Sequence, residues 1–146
     1  MTSHILKYSL ILLAGFLLHW WIFNFSSLSI PENIPATPIK VYGLSKLAWI
    51  ITILIFFQKG LLKAKPERGI LTLTLLGTYV YFIADVIFKV FMISIVMSAE
   101  TTGEDIYFYL YNSIVMILFA TILSFFVAFQ LKTKRTLLLS VLIVAF

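Results

Sequence analysis

The stretch ILTLTLLGTYVYFIADVIFKVFMISIVM, residues 70–97, decides how this chain folds. It carries only two charges, Asp85 and Lys89, one helical turn apart. A hydrocarbon core of about 30 Å takes roughly 20 apolar residues of helix, so the run is long enough to cross a membrane. Each central charge costs roughly 2.5–3.5 kcal/mol on insertion, against roughly 0.3–0.6 kcal/mol gained by each strongly apolar neighbour. Insertion is therefore favourable only by a narrow margin, and the charged face must turn toward protein or water. Helical spacing supplies such a face: Thr74, Gly77, Thr78, Tyr81, Asp85 and Lys89 recur at intervals of three and four and form one polar stripe.

Three more apolar runs lie outward from it, at 8–28, 41–62 and 106–131. The run 41–62 has a charge-free core of only 47–58, bracketed by Lys46 and Lys59, and these lysines are expected to snorkel toward opposite interfaces. Composition agrees with four spans. Hydrophobic residues make up 62% of the chain and charged residues 12%, with a mean hydropathy of +1.07, where soluble domains carry about 25% charged residues. The apolar stretch after Lys7 is longer than a signal-peptide core and no small-residue cleavage site follows it, so the first span is expected to be retained. Cysteine is absent, which excludes disulfides, thiolate metal sites and cysteine nucleophiles.

The expected fold is an all-α integral membrane protein, a single domain over 1–146 built as an up-and-down bundle of four transmembrane helices with a short apolar C-terminal segment. The loop 60–69 is short and contains Pro66, and the loop 98–105 is short as well, so spans two and three, and three and four, are expected to be antiparallel neighbours. The loop 29–40 holds Pro31, Pro35 and Pro38 and is expected to be extended. The segment 137–146, apolar except for Ser140, is half a span long. It reads as interfacial, as docked on a partner or as a truncated fifth helix.

Eight of the eleven bases (Lys7, Lys59, Lys63, Lys65, Arg68, Lys132, Lys134 and Arg135) fall on one side of this topology, and four of the six acids (Glu32, Glu100, Glu104 and Asp105) fall on the other. By the positive-inside rule both termini face the cytoplasm, as in a bacterial inner-membrane protein. The net charge of +5 then reflects topology and anionic lipid rather than nucleic acid.

Asp85, Lys89, Tyr81 and His19 form the candidate intramembrane polar site. Asp85 precedes Lys89 by four residues, the better order for a helical ion pair, and Tyr81 is placed to donate its hydroxyl to the carboxylate. The pair reads either as a proton or ion relay, to which His19 could add a third member, or as a silent couple that fixes how helices register. His19 with Trp20 and Trp21 also reads as an interfacial patch, as do Tyr107, Phe108, Tyr109 and Tyr111, while Gln58 and Gln130 read as boundary residues. On the fourth span Asn112, Met116, Ala120, Ser124 and Ala128 repeat every four residues and, with Gly77, form a candidate helix-packing face. Two histidines with no cysteine give no recognised metal-ligand spacing, and no phosphate loop, nucleophile elbow or glycosidase carboxylate pair is present, so no cofactor, metal or catalytic set is expected.

A four-span layout with both ends inside, and Asp85 and Lys89 on span three, resembles the subunit I family that assists assembly of rotary ATP synthases; the likeness covers layout and those two residues. Bacterial immunity proteins against pore-forming toxins have a similar layout. The resemblance implies an assembly role. The expected function is a non-enzymatic accessory or assembly subunit of a membrane complex, with other membrane subunits or further copies of itself as partners in the bilayer. The alternative is an oligomeric ion channel or proton-coupled carrier using Asp85 and Lys89.

Overall fold

The computed structural model describes residues 2–27, 37–96 and 103–133, which form four long helices. They are α1 (Thr2–Ser27), α2 (Thr37–Ala64), α3 (Ile70–Phe91) and α4 (Gly103–Thr133), and α3 is continued by a π-helical turn, Met92–Val96. All four are long and apolar enough to cross a membrane, over Thr2–Phe23, Gly43–Ala64, Ile70–Ser94 and Tyr111–Thr133. The chain is an all-α bundle of four membrane-spanning helices.

Local sequence sets where the helices stop and start. The helix α2 ends at Ala64 because Pro66 disfavours helical geometry at Lys65, whose amide makes the last intrahelical bond, to the Leu61 carbonyl at 2.9 Å. After a short turn, Gly69 in an extended conformation leads into α3. The expectation of an extended 29–40 is corrected at its end: α2 begins at Thr37, with Pro38 in the first turn, where the missing N–H costs nothing. Likewise α1 starts at Thr2 and α4 at Gly103, earlier than the apolar runs alone suggest, because polar residues extend a helix beyond the hydrocarbon. Pro31, Pro35 and the segment 137–146 lie outside the described residues.

Side-chain contacts fix the helix directions. Tyr8 meets Phe57, and the Trp49 indole occupies the notch left by Gly15, so α1 and α2 run antiparallel. Phe16 meets Tyr81 and Phe88, and Trp20 meets Phe91, so α1 and α3 run parallel. Thr74, Thr78 and Lys89 bond to Ser124, Thr121 and Ser113, so α3 and α4 are antiparallel. Direction thus alternates along the chain. Spans two and three are antiparallel and in contact, as expected, but they share the shortest seam. The sides of the bundle are α1/α2, α2/α4, α4/α3 and α3/α1; α2 and α3 touch across its short diagonal, while α1 and α4 do not meet among the described residues. A short loop dictates antiparallel direction, but packing decides which helices share the longest seam.

Lys132, near the end of α4, donates to the Pro66 carbonyl at 2.7 Å, so the loop after α2 and the end of α4 lie at the same end of the bundle. Lys59, Lys63, Lys65 and Arg68 belong to this basic end. Toward lipid the chain presents Leu71, Leu75, Phe82 and Val90 on α3 and Ile114, Leu118, Ile122 and Phe125 on α4, all exposed.

Candidate functional site

Two polar layers lie inside the bundle, separated by a mainly apolar one that the half-buried Thr78–Thr121 contact of α3 and α4 crosses at 3.3 Å. Nearer the basic end, Gln58 of α2 reaches between α3 and α4. Its amide nitrogen donates to the Ser124 hydroxyl at 2.9 Å, the Ser124 carbonyl at 3.1 Å and the Leu73 carbonyl at 3.2 Å. The Ser124 hydroxyl donates in turn to the Thr74 carbonyl at 2.9 Å. Gln58 and Ser124 are wholly inaccessible to solvent. Three helices can meet this closely because α3 carries glycine there: a Cβ on Gly77 would collide with the Ser124 hydroxyl and lie 2.8 Å from the Gln58 amide nitrogen. Gln58 is therefore a core residue, which corrects its reading as a boundary residue. Its depth in the span was readable from sequence, but its three carbonyl and hydroxyl partners on other helices were not.

Beyond this layer, Leu12, Leu54, Val80 and Ala120 are fully buried and fill the axis of the bundle. The second polar layer follows, toward the end away from the basic loop. Asp85 is about 22 Å along α3 from Ile70 and about 14 Å from Ser94, at 1.5 Å per residue. Its Oδ2 accepts from the Lys89 ammonium at 2.7 Å, and Lys89 also donates to the Ser113 hydroxyl of α4 at 2.6 Å. Side-chain exposure is 8% for Asp85 and 14% for Lys89, so the pair is withdrawn from the lipid face. Tyr81 is buried one turn away, edge-on to Phe16 at 5.8 Å; among the described residues it makes no hydrogen bond to the carboxylate.

A third charge joins the pair from another helix. The Lys46 ammonium of α2 lies 4.9 Å from the Phe16 ring centre and 5.8 Å from that of Phe88, within electrostatic reach of Asp85, which attracts it, and Lys89, which repels it. Lys46 is half-buried and turned inward, which corrects the expectation that it snorkels outward. Spacing rules along one helix find Lys89 from Asp85, but they cannot see a lysine on an antiparallel neighbour. The available signal was a charge-free stretch in span two too short to cross alone, which marks Lys46 as a residue inside the bundle. Among the described residues the layer holds two ammonium groups and one carboxylate, beside the Phe16, Tyr81 and Phe88 rings.

The remaining candidates divide. His19 turns back on its own helix, its Nδ1 2.7 Å from the Gly15 carbonyl oxygen, with the proton on Nδ1 in the tautomer this bond requires. On α4, Ala120, Ser124 and Ala128 are fully buried within the bundle, so their partners are helices of the same chain. Met116 is 40% exposed and Asn112 half-buried, and the contact with α3 is made instead by Ser113. Four-residue steps rotate about 40° past a full helical turn, so a strict repeat drifts off the packed face. No group of three or more potential metal ligands exists among the described residues. No protein-family model, curated protein or solved structure matches this chain.

Proposed function

We propose that the protein is a non-enzymatic accessory or assembly subunit that offers a rigid, self-contained bundle to other membrane helices. The observation that carries this reading is the packed axis. Leu12, Leu54, Val80 and Ala120 are buried between the charged layer and the Gln58 layer, and the half-buried Thr78 and Thr121 at that depth spend their hydroxyls on each other and on carbonyls of their own helices rather than on an open path. A conduit needs a continuous polar lining. The hydrogen bonds around Gln58 and Ser124 and the one from Lys89 to Ser113 tie α2, α3 and α4 together, as expected of a scaffold whose own shape is fixed before it meets a partner. The exposed apolar rows of α3 and α4 are then the surfaces on which partner helices or further copies dock. The membrane is a bacterial inner membrane, with both termini in the cytoplasm, as the placement of Lys59, Lys63, Lys65, Arg68 and Lys132 at one end supports.

The three-charge layer favours one second reading, an oligomeric channel or proton-coupled carrier in which Asp85 and Lys89 act between protomers. Purification in mild detergent, with identification of what accompanies the chain, separates the two. A stoichiometric membrane partner, with no ion flux in proteoliposomes, supports the accessory role. Flux in the wild type that is lost in Asp85→Asn and Lys89→Met supports the carrier and overturns the proposal.

A further inference from the structure

We infer that the Lys46 ammonium is a binding site for a single oxyanion, a phosphate or carboxylate group entering from the end of the bundle away from the basic loop. This goes beyond the accessory role and does not depend on it. Lys89 spends two of its three donors, on Asp85 Oδ2 at 2.7 Å and Ser113 Oγ at 2.6 Å. For Lys46, no oxygen lies at hydrogen-bond or ion-pair distance among the described residues, and its charge rests on two phenyl faces. Among the described residues the layer carries two positive charges against one negative, at a depth where unneutralised charge is expensive. Asp85 attracts Lys46 more than Lys89 repels it, but the carboxylate is held by Lys89 and offers no oxygen within hydrogen-bond distance of Lys46. The rings of Phe16 and Phe88 stabilise a cation on their faces but provide no acceptor for its N–H groups, so these donors remain for an incoming oxygen. Lys46 is three residues inside the span that begins at Gly43, within reach of a headgroup or of a free anion in the adjoining water.

The same oxyanion chemistry could come from an anionic phospholipid or from a free anion, and binding to purified protein in maltoside micelles distinguishes them. One arm adds phosphatidylglycerol, the other inorganic phosphate, with thermal unfolding followed by tryptophan fluorescence and bound lipid counted by native mass spectrometry. A ligand of the folded state raises the midpoint in proportion to its affinity. The expected result is a saturable rise in one arm, retained in Lys46→Arg and weakened about tenfold or more in Lys46→Met. Lys65→Gln combined with Lys132→Gln should leave the rise intact, since those lysines lie at the opposite end. No rise in either arm, an undiminished rise in Lys46→Met, or a rise abolished in the Lys65/Lys132 variant would overturn the site. If Lys46→Met does not fold, the Lys46→Arg and Lys65/Lys132 results still decide, because a site at Lys46 requires both to retain the rise.

Discussion

The layer around Gln58 and the layer around Asp85 bury polar groups at different depths of one bundle by different means. Around Gln58 every group is neutral, the hydrogen bonds join three helices, and Gly77 allows the backbones to approach until little but a hydroxyl fits between them. Around Asp85 the groups are charged, the rings of Phe16, Tyr81 and Phe88 take the place that glycine has in the first layer, and positive charge exceeds negative among the described residues. The neutral layer is closed by geometry except at the Gln58 carbonyl oxygen, which is buried without a hydrogen-bond partner among the described residues. A charged layer of odd count needs a counter-charge or a partner, and for that reason the candidate chemistry belongs to the second layer and rigidity to the first.

The contrast is broken most sharply at Asp85. Asp85→Asn leaves Lys89 and Lys46 without their common counter-charge, and removing one partner of a buried pair costs about 3–5 kcal/mol. Replacing both partners, with Asp85→Leu and Lys89→Met together, should restore most of that stability, because packed apolar groups are often no worse than a buried pair. Denaturation in mixed micelles measures both; a double variant less stable than Asp85→Asn would show that the pair matters through its shape rather than its charge. In the neutral layer the largest effect belongs to Gly77→Ala. The new methyl must displace Ser124 and Gln58 together, an overpacking cost of about 1–3 kcal/mol. The same unfolding measurement should show no such loss for Gly60→Ala, where a Cβ meets nothing within 4 Å.

The architecture was legible in the sequence for a simple physical reason. Hydrophobic length and the polar stripe of α3 are local properties, and the hydrocarbon core leaves the backbone few options besides helices. The ion pair was legible for the same reason, since Asp85 and Lys89 are neighbours on one helix. Lys46, Gln58 and the diagonal placement of α2 against α3 were not, because each depends on how helices turn about their axes when packed. Lys46 and Asp85 are brought together only by that rotation. The drift of the α4 seam from Met116 to Ser113 has the same origin, and a strict four-residue repeat conceals it.

The smallest predicted effects compare two positions that the sequence placed on one stripe. Ser124→Ala removes the hydroxyl that accepts from Gln58 and donates to Thr74, while Gln58 retains the Ser124 and Leu73 carbonyls. Hydrogen bonds between membrane helices average about 0.6 kcal/mol and reach about 1.7 kcal/mol, so a loss near the upper figure is expected where two are removed at a wholly buried site. Met116→Ala, two turns along the same helix, should change stability by less than about 0.5 kcal/mol, because its side chain faces lipid and acyl chains replace the contacts it gives up. Unfolding both variants in the same micelles tests the register of α4 directly. Equal losses at the two positions would mean that Met116 is covered by a partner helix rather than by lipid.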